Sequence, residues 1–331
     1  MKILVTGGGG FLGSAVCAQL AARGHSVRAF NRSAMATAAA GGFEQRRGDI
    51  ADRDAVLAAA EGVDAIVHSA GKVGAWGPPQ EYHDINVRGT DNVLAACARH
   101  GIRKLVLTSS PSVVQHGRDI EGADESLPYP ARFASVYAQT KALAEQHVLA
   151  ANGADLATVA LRPHFIWGPG DPNLLPRVLA RARAGRLRLI GKIDKRVDIV
   201  YVDDAARAHV LALEKLEIGS PIAGKAYFIS QDDPITHVRL FNAWLAAAGL
   251  PSETRRIPTW LAHGLGASLE SAYCTLGIRS EPPLTRFIVE EFSTSHWFDI
   301  SAAKRDLGYA PQVDFAEGMR RLTQHLAAAR G

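Results

Sequence analysis

Three side chains have the types and spacing needed for proton transfer to a carbonyl group. Tyr137 and Lys141 lie four residues apart, so on a helix both side chains share one face. A phenol has an ordinary pKa of about 10, and we expect the neighbouring ammonium to favour the phenolate. Ser110 follows an apolar run and offers a hydroxyl to a substrate carbonyl oxygen, with a plain turn serine as the alternative. Because a Tyr-x-x-x-Lys pattern is common, its weight depends on the elements that position it.

A glycine-rich loop near the start of the chain predicts a dinucleotide site. It follows an apolar run at residues 3–6 and precedes a helical pattern, which is the context such a loop requires. Glycine permits the tight turn and lets the backbone approach a pyrophosphate, and the helix N-terminus attracts the phosphates. The residues predicted to bind here are Gly7, Gly10, Phe11, Leu12 and Gly13.

The residues after the second predicted strand favour NADP(H) over NAD(H). A site for NAD carries an acid there, whereas this chain has Asn31, Arg32 and Ser33. A guanidinium binds a 2′-phosphate through charge-assisted hydrogen bonds. A solvated surface arginine is the alternative for Arg32. Asp49, followed by Ile50, is placed to accept from an adenine amine, with a helix-capping aspartate as the alternative.

Alternating strand and helix patterns predict an α/β fold, namely a doubly wound parallel Rossmann sheet with a smaller, mostly helical C-terminal substrate domain. Short apolar runs at 3–6, 27–30, 65–68, 104–108 and 157–161 alternate with helical patterns at 53–60, 81–99 and 136–152. Residues 197–202 and 226–229 are expected to return to the sheet. We therefore expect an NADP-binding domain at 1–167 and 197–230, and a substrate-binding domain at 168–196 and 231–331.

Composition excludes several function classes. The 331 residues contain 37 Lys and Arg against 33 Asp and Glu, and a net charge of +4 implies no nucleic-acid partner. Three widely separated cysteines indicate no disulfide framework or zinc site, and the twelve histidines contain no His-Glu-x-x-His pattern, so no metal is predicted. The absence of a secretory apolar segment and of a run of about 20 apolar residues favours a cytoplasmic protein with no transmembrane segment.

An amphipathic pattern at 257–278 has three interpretations. The residues include Trp260, Leu261, Leu265, Leu269 and Tyr273. A helix that faces the core of the small domain is the expectation. A lid over an apolar ligand and a contact with a membrane surface are the alternatives.

Further motifs resemble the extended short-chain dehydrogenase/reductases, and within them the 3β-hydroxysteroid dehydrogenase-like branch. They comprise residues 68–71, Asn86, 108–110, 161–163, 167–170, 197–204 and 307–311. The resemblance implies that Tyr137 is the general acid in ketone reduction, that Lys141 tunes it and binds ribose, and that Ser110 positions the carbonyl. It implies that Asn86 supports the site, although simple helix packing is the alternative, and that Ser69, Ala70, Gly71 and Pro163 contact the cofactor. It also implies a homodimer through the fourth and fifth helices.

Other stretches resemble a group of bacterial NADPH-dependent 2-alkyl-3-oxoalkanoate reductases of long-chain olefin biosynthesis. They are residues 31–33, 224–230 and 281–287. The implied activity is reversible reduction of a hydrophobic 3-oxo acid to the 3-hydroxy acid, with assembly with other enzymes of that pathway as an added expectation. The substrate candidates are Trp76, Ser112, His164 and Arg177. A solvated basic helix face is the alternative for Arg177, and loop packing is the alternative for Trp76.

Three other functions stay open at this stage. They are a dehydrogenase of 3β-hydroxysteroids or other bulky alcohols, a nucleotide-sugar epimerase, and a non-catalytic NADP-binding sensor or scaffold. Dehydratases of the family carry an Asp-Glu pair after the serine, whereas this chain has Pro111 and Ser112. The intact Tyr137 and Lys141 pair argues against a sensor, which need not keep a tuned phenol.

Overall fold

The computed structural model describes residues 1–35, 42–74 and 76–328. The strands are β1 (Lys2–Thr6), β2 (Ser26–Asn31), β3 (Glu44–Arg47), β4 (Ala65–His68), β5 (Lys104–Thr108), β6 (Ile120–Ala123), β7 (Ala157–Pro163), β8 (Ile166–Trp167), β9 (Leu189–Ile190), β10 (Arg196–Val197), β11 (Val200–Tyr201), β12 (Lys225–Ile229), β13 (Ile235–Thr236), β14 (Arg256–Ile257) and β15 (His296–Phe298).

The α-helices alternate with these strands in the first half and dominate the second. They are α1 (Phe11–Ala22), α2 (Arg53–Ala60), α3 (Pro79–Tyr82), α4 (Gly89–His100), α5 (Val136–Ala150), α6 (Leu174–Arg183), α7 (Val202–Lys215), α8 (His237–Ala247), α9 (Thr259–Thr275), α10 (Arg286–Ser293) and α11 (Phe315–Ala328). The predicted helix at 81–99 is instead interrupted by a π-helical turn, His83–Arg88, between α3 and α4.

A parallel seven-stranded sheet confirms the predicted fold class. Its strand order is β12-β7-β5-β4-β1-β2-β3, and every neighbouring pair is parallel. Side chains alternate between the two faces of a strand, so Ile3 and Val5 join the core under α1 and α7, whereas Leu4 joins the core under α2 and α4. The carboxyl ends of the strands meet at one edge, where ligands bind in folds of this kind.

The second half of the chain forms smaller sheets beside the large one. β10, β13, β15 and β6 form a four-stranded sheet, and β14 pairs with β9. The expectation that residues 197–202 return to the large sheet is wrong, because Val200–Tyr201 pairs with Ile166–Trp167 instead. Of the two segments expected to return to the large sheet, only the second does so: it forms β12, which pairs with β7. The domain boundaries themselves stay a prediction.

Helix α9 is largely exposed, so the expectation of a core-facing helix at 257–278 is wrong. Only Ala262 and Gly266 of its residues are buried, and Gly266 packs against the backbone at Thr285. Trp260 is 74% exposed. Among the described residues, no helix combines the length and the apolar character that crossing a membrane requires.

Candidate active site

One cavity of about 1200 Å³ lies at the carboxyl edge of the large sheet and extends toward α8 and α10. It brings together most of the residues singled out in the sequence. The predicted residues that line it are Gly7, Gly10, Phe11, Leu12, Gly13, Asn31, Arg32, Ser33, Asp49, Ile50, Ser69, Ala70, Gly71, Ser110, Ser112, Tyr137, Lys141, Pro163, His164 and Arg177. Asn86 and Trp76 do not line it.

The glycine loop leaves space that side chains would fill. Gly7 has a φ of +70°, and a Cβ on it would lie 2.8 Å from the backbone nitrogen of Ala70. A Cβ on Gly13 would lie only 2.1 Å from the carbonyl oxygen of Gly7. Gly10 precedes the first residue of α1, and no side chain caps that helix N-terminus. Exposed backbone N–H groups at a helix N-terminus bind phosphate, so the loop fits a dinucleotide.

The end of β2 presents a cation without a partner carboxylate. Arg32 is exposed and forms no ion pair within the part of the chain that the structure describes. The Asn31 amide instead turns back and donates to the Ser33 carbonyl oxygen. Asp49 accepts from the backbone N–H of Ala51 at 2.9 Å, while Asp52 caps α2. Asp49 is therefore not the helix cap that we gave as its alternative.

The predicted catalytic side chains converge where α5 meets the ends of β5 and β7. Ser135 caps α5 by accepting from the N–H of Ala138 at 3.1 Å, which fixes the start of the helix that carries Tyr137 and Lys141. The Lys141 ammonium donates to the carbonyl oxygen of Thr108 at 2.5 Å. The Ser110 hydroxyl forms a hydrogen bond with the Tyr137 phenol.

Burial acts on both titratable groups of this set. It lowers the pKa of the Lys141 ammonium to about 8, against a smaller opposing effect of the Glu145 charge. It also raises the pKa of the Tyr137 phenol above its usual value, while the hydrogen bond from Ser110 acts in the opposite direction. The expectation that Lys141 makes the phenol more acidic is therefore not met in this geometry, because desolvation of the ring dominates.

Asn86 lies behind the cavity wall and connects three elements. Its side-chain oxygen accepts from the backbone N–H of Lys72 at 2.7 Å, and its side-chain nitrogen donates to the Lys72 carbonyl and to Thr140, both at 3.1 Å. The asparagine lies in the π-helical turn and is 2% exposed. It holds the loop after β4 against α5, so it acts by positioning these elements rather than by touching a reactant.

A buried hydrogen-bonded chain continues from Asn86 into the sheet. Thr90 donates to the Asn86 carbonyl at 2.6 Å, and His68 lies between Thr90 at 3.0 Å and Thr6 at 2.7 Å. Thr6 in turn accepts from the N–H of Ala70 at 3.2 Å. Burial lowers the pKa of His68 to about 3, so the ring is neutral and each nitrogen has one partner. The chain fixes the loop that carries Ser69, Ala70 and Gly71, which are predicted to contact the cofactor.

The predicted substrate residues have different surroundings. Ser112 donates to the Ser110 hydroxyl oxygen through both its N–H, at 3.2 Å, and its own hydroxyl, at 2.9 Å. Arg177 lines the cavity but forms an ion pair with Glu281 at 2.8 Å, so it is not a free carboxylate ligand. Trp76 packs edge-on against Tyr273 of α9, 6.4 Å between ring centroids, and so follows the packing alternative.

His164 belongs to a buried cluster that the sequence did not indicate. Its ring stacks on His296, and His164 Nε2 lies 2.7 Å from His296 Nδ1. His296 Nε2 lies 2.8 Å from the carbonyl oxygen of Glu291, which can only accept. Both nitrogens of His296 are therefore engaged, and no lone pair is left on it for a cation. Of the described residues, His164, Glu291 and His296 are the one group of potential metal ligands within 4.8 Å, and we assign no metal to it.

Glu291 and Gln115 are cavity residues that sequence reasoning missed. Glu291 lies 154 positions after Tyr137, in the last turn of α10, and no local motif marks it. Its only signal is an acid pair, Glu290 and Glu291, on a short helix. Topology rather than sequence spacing brings it to the site.

Comparisons with known proteins agree with this geometry. The chain is 54% identical over 331 residues to the 2-alkyl-3-oxoalkanoate reductase of Stenotrophomonas maltophilia, covering 99% of this chain and all of that one. It is 48% identical to the 2-alkyl-3-oxoalkanoate reductase of Shewanella oneidensis, covering 97% and 85%. Among solved structures, the UDP-glucose 4-epimerase of Thermus thermophilus in complex with NAD superposes with a TM-score of 0.75 at 26% identity, covering 99% of this chain and all of that one.

The chain also matches the model of a family of oxidoreductases. Residues 4–258, which include the glycine loop, Ser110, Tyr137 and Lys141, match the 3-beta hydroxysteroid dehydrogenase/isomerase family. The relatives named above are oxidoreductases, and the epimerase holds a nicotinamide dinucleotide. The chain therefore belongs to the 3-beta hydroxysteroid dehydrogenase/isomerase family.

Proposed function

We propose that this protein reduces a hydrophobic 2-alkyl-3-oxoalkanoic acid to the 3-hydroxy acid, reversibly, with NADPH as the electron donor. The observation that supports it most is one continuous cavity that joins the glycine loop to Tyr137 and Ser110 and then continues between apolar side chains. A dinucleotide in one part of the cavity and a hydrophobic ketone in the other would meet at the hydroxyl groups of Tyr137 and Ser110. The identity of 54% to a reductase of this class supports the same substrate.

The residues at the junction have complementary tasks in such a reduction. Ser110 donates a hydrogen bond to the ketone oxygen, because both of its acceptor positions are used by Ser112. Tyr137 gives its proton to that oxygen as charge develops there, and its raised pKa keeps the phenol protonated until then. When bound, the reduced nicotinamide supplies the hydride. Lys141, held by the Thr108 carbonyl, stabilises the phenolate that remains.

The walls of the cavity beyond these groups favour an alkyl chain over a sugar nucleotide. They consist largely of aromatic and aliphatic side chains, among them Phe165, Val238, Phe241, Leu284, Phe287 and Phe292. Burial of such surfaces stabilises an apolar ligand by roughly 25 cal/mol per Å². In a nucleotide-sugar epimerase these apolar side chains would face the hydroxyl groups of the sugar, which they cannot hydrogen-bond.

A dehydrogenase of a 3β-hydroxysteroid or another bulky alcohol is the second candidate. The volume of about 1200 Å³ and the same apolar walls favour it. A non-catalytic sensor is disfavoured, because the paired donors on Ser110 and the buried Lys141 are costly features that binding alone does not need.

The preference for NADPH rests on Arg32. Its guanidinium lies at the cavity margin after β2, where no carboxylate of this strand end would repel a 2′-phosphate. The homodimer, a cytoplasmic location and assembly with other olefin-pathway enzymes stay part of the proposal.

The decisive experiment is NADPH oxidation with a long-chain 2-alkyl-3-oxo acid. We expect turnover by the wild type and a loss of at least about 100-fold in Tyr137→Phe, because the ring stays in place while its proton is removed. Tyr273→Phe, on α9 and outside the cavity lining, is the matched control and keeps the activity, because its ring contact with Trp76 does not need the hydroxyl. Turnover of a 3β-hydroxysteroid but not of the oxo acid would select the second candidate, and binding without turnover of any ketone would select the sensor.

A further inference from the structure

The reduction proposed above leaves one buried acid in the cavity without a task. Glu291 lines the substrate end of the cavity, and its side chain is 11% exposed. It lies close enough to Tyr137 for its charge to act on the phenol. The proton donor, the hydrogen-bond donor and the lysine of the reduction are all supplied by other residues.

The Glu291 carboxylate has no Lys or Arg partner among the described residues. The His296 ring lies beside it, with Nε2 at 3.6 Å from Oε1, and that nitrogen also lies 2.8 Å from the Glu291 backbone carbonyl oxygen. Gln115 provides a side-chain hydrogen bond to the carboxylate. Phe292, the next residue, also lines the cavity. A desolvated acid of this kind is costly to a fold, which marks it as a candidate functional group.

We propose that Glu291 is a catalytic base that removes the C2 proton of a bound 2-alkyl-3-oxo substrate, so that the protein catalyses keto–enol exchange at C2 besides reduction at C3. This inference rests on the proposed function for its substrate class. It uses the placement of Glu291 in the same cavity as Ser110 and Tyr137, which are the groups that hold the C3 oxygen.

The step balances with groups that the cavity contains. A Glu291 oxygen accepts the C2 proton, and the C2–H electron pair becomes the C2=C3 double bond. The carbonyl π pair moves to the C3 oxygen, where hydrogen bonds from Ser110 and Tyr137 stabilise the enolate. Return of the proton from Glu291 restores the ketone, so no oxidant or reductant is consumed. Burial raises the pKa of Glu291, which strengthens it as a base near neutral pH.

Exchange of deuterium at C2 tests this directly. The probe is a racemic 2-alkyl-3-oxo ester, which cannot decarboxylate, incubated in D₂O with the protein and NADP⁺, and loss of the C2–H signal is followed by NMR. We expect the wild type to exceed the protein-free rate at least about tenfold, since general bases contribute roughly 100-fold or more. Glu291→Gln should fall to the protein-free rate. Glu290→Gln, the matched control on a neighbour that does not line the cavity, should exchange as the wild type does.

A second substrate separates this proposal from the proposed function and from loss of fold. A 2,2-dimethyl-3-oxo ester has no C2 proton, and its NADPH-dependent reduction reports the C3 chemistry alone. Exchange with the first ester, without reduction of either ester or of the 2-alkyl-3-oxo acid, would overturn the proposed function and leave the role of Glu291 standing. Exchange by Glu291→Gln at the wild-type rate, or none by the wild type, would overturn this inference. If Glu291→Gln loses NADP⁺ binding, Glu291→Asp replaces it, with exchange below wild type expected and wild-type exchange counting against the role.

Discussion

The hydroxyl oxygen of Ser110 accepts two hydrogen bonds from Ser112, one from its backbone N–H at 3.2 Å and one from its hydroxyl at 2.9 Å. A serine oxygen has two acceptor positions, and with both of them occupied Ser110 can act toward a ligand only as a donor. Ser110 also interacts with the Tyr137 phenol, and a ketone oxygen bound between the two hydroxyl groups would receive the Ser110 proton in a hydrogen bond. We therefore expect Ser112, predicted from the sequence as a substrate contact, to orient Ser110.

Removal of the Ser112 hydroxyl should lower kcat more than it changes KM. In Ser112→Ala one acceptor position of Ser110 becomes free, and the Ser110 proton loses its fixed direction. One hydrogen bond of about 1 kcal/mol corresponds to roughly a fivefold fall in kcat. Steady-state kinetics with the 3-oxo acid measure the split. Ser112→Thr keeps the donor and should retain most of the activity; a fall equal to that of the alanine variant would contradict the orienting role.

Gly13→Ala should abolish dinucleotide binding. The new Cβ would lie 2.1 Å from the Gly7 carbonyl oxygen, so helix α1 and the loop must separate where the pyrophosphate is expected. Titration of the tryptophan fluorescence with NADPH measures the affinity. Gly153→Ala is the matched control, because no atom lies within 4 Å of its added Cβ. Tight NADPH binding by Gly13→Ala would mean that the dinucleotide lies elsewhere.

Arg32→Ala should weaken NADPH binding far more than NADH binding. The arginine is exposed and lines the cavity at the end of β2. NADPH carries a 2′-phosphate that the guanidinium can bind, whereas NADH has no phosphate at that position. A charge-assisted hydrogen bond of roughly 1.5–3 kcal/mol corresponds to a loss of about 10- to 150-fold in Kd. Arg23→Ala, on the opposite end of α1, controls for the loss of one charge. Equal losses for both cofactors would remove the argument for NADPH.

Binding of NADPH should weaken as pH rises through about 8. Burial lowers the pKa of Lys141 to about 8, so the ammonium keeps its charge below that pH and loses it above. The neutral amine no longer attracts the dinucleotide. Affinity measured from pH 6 to pH 10 should therefore show an alkaline decline in the wild type. Lys141→Arg keeps its charge throughout and should show a flat profile; an identical decline in that variant would assign the titration to another group.

Local patterns were enough to select residues that the structure brings into one cavity, although their role in binding a dinucleotide stays a prediction. The glycine loop, Asp49 and the segment Ser69 to Gly71 each follow directly after a strand of a parallel sheet, and strand ends of one sheet converge at one edge. Once a strand is assigned to the sheet, the residues that directly follow it can therefore be expected at that edge. The same rule brought Ser110 beside Tyr137, because β5 and β7 are neighbours and α5 connects them.

The other end of the cavity depends on contacts between distant segments, and there sequence reasoning missed Glu291 and misplaced Trp76. Glu291 reaches the cavity through α10, and no periodicity could pair that helix with the end of β5. Trp76 was expected at the cavity from its position after β4, but it packs against Tyr273 of α9 and does not line the cavity. Helix α9 has the apolar composition of a buried helix, but Ala262 and Gly266 are its only buried residues.

Strand β6 pairs with β15 in register at Ile120 and His296, only a few residues after Ser112 in one segment and after Glu291 in the other. The loop that carries Ser110 and Ser112 thus leads into a strand, β6, whose pairing partner β15 lies about 175 positions later in the chain. Recombinant chimeras that exchange the C-terminal third between relatives would replace the strand that pairs with β6, and with it the side chains that pack on the serine loop. Altered substrate scope is therefore better sought by replacing individual wall residues than by grafting whole modules.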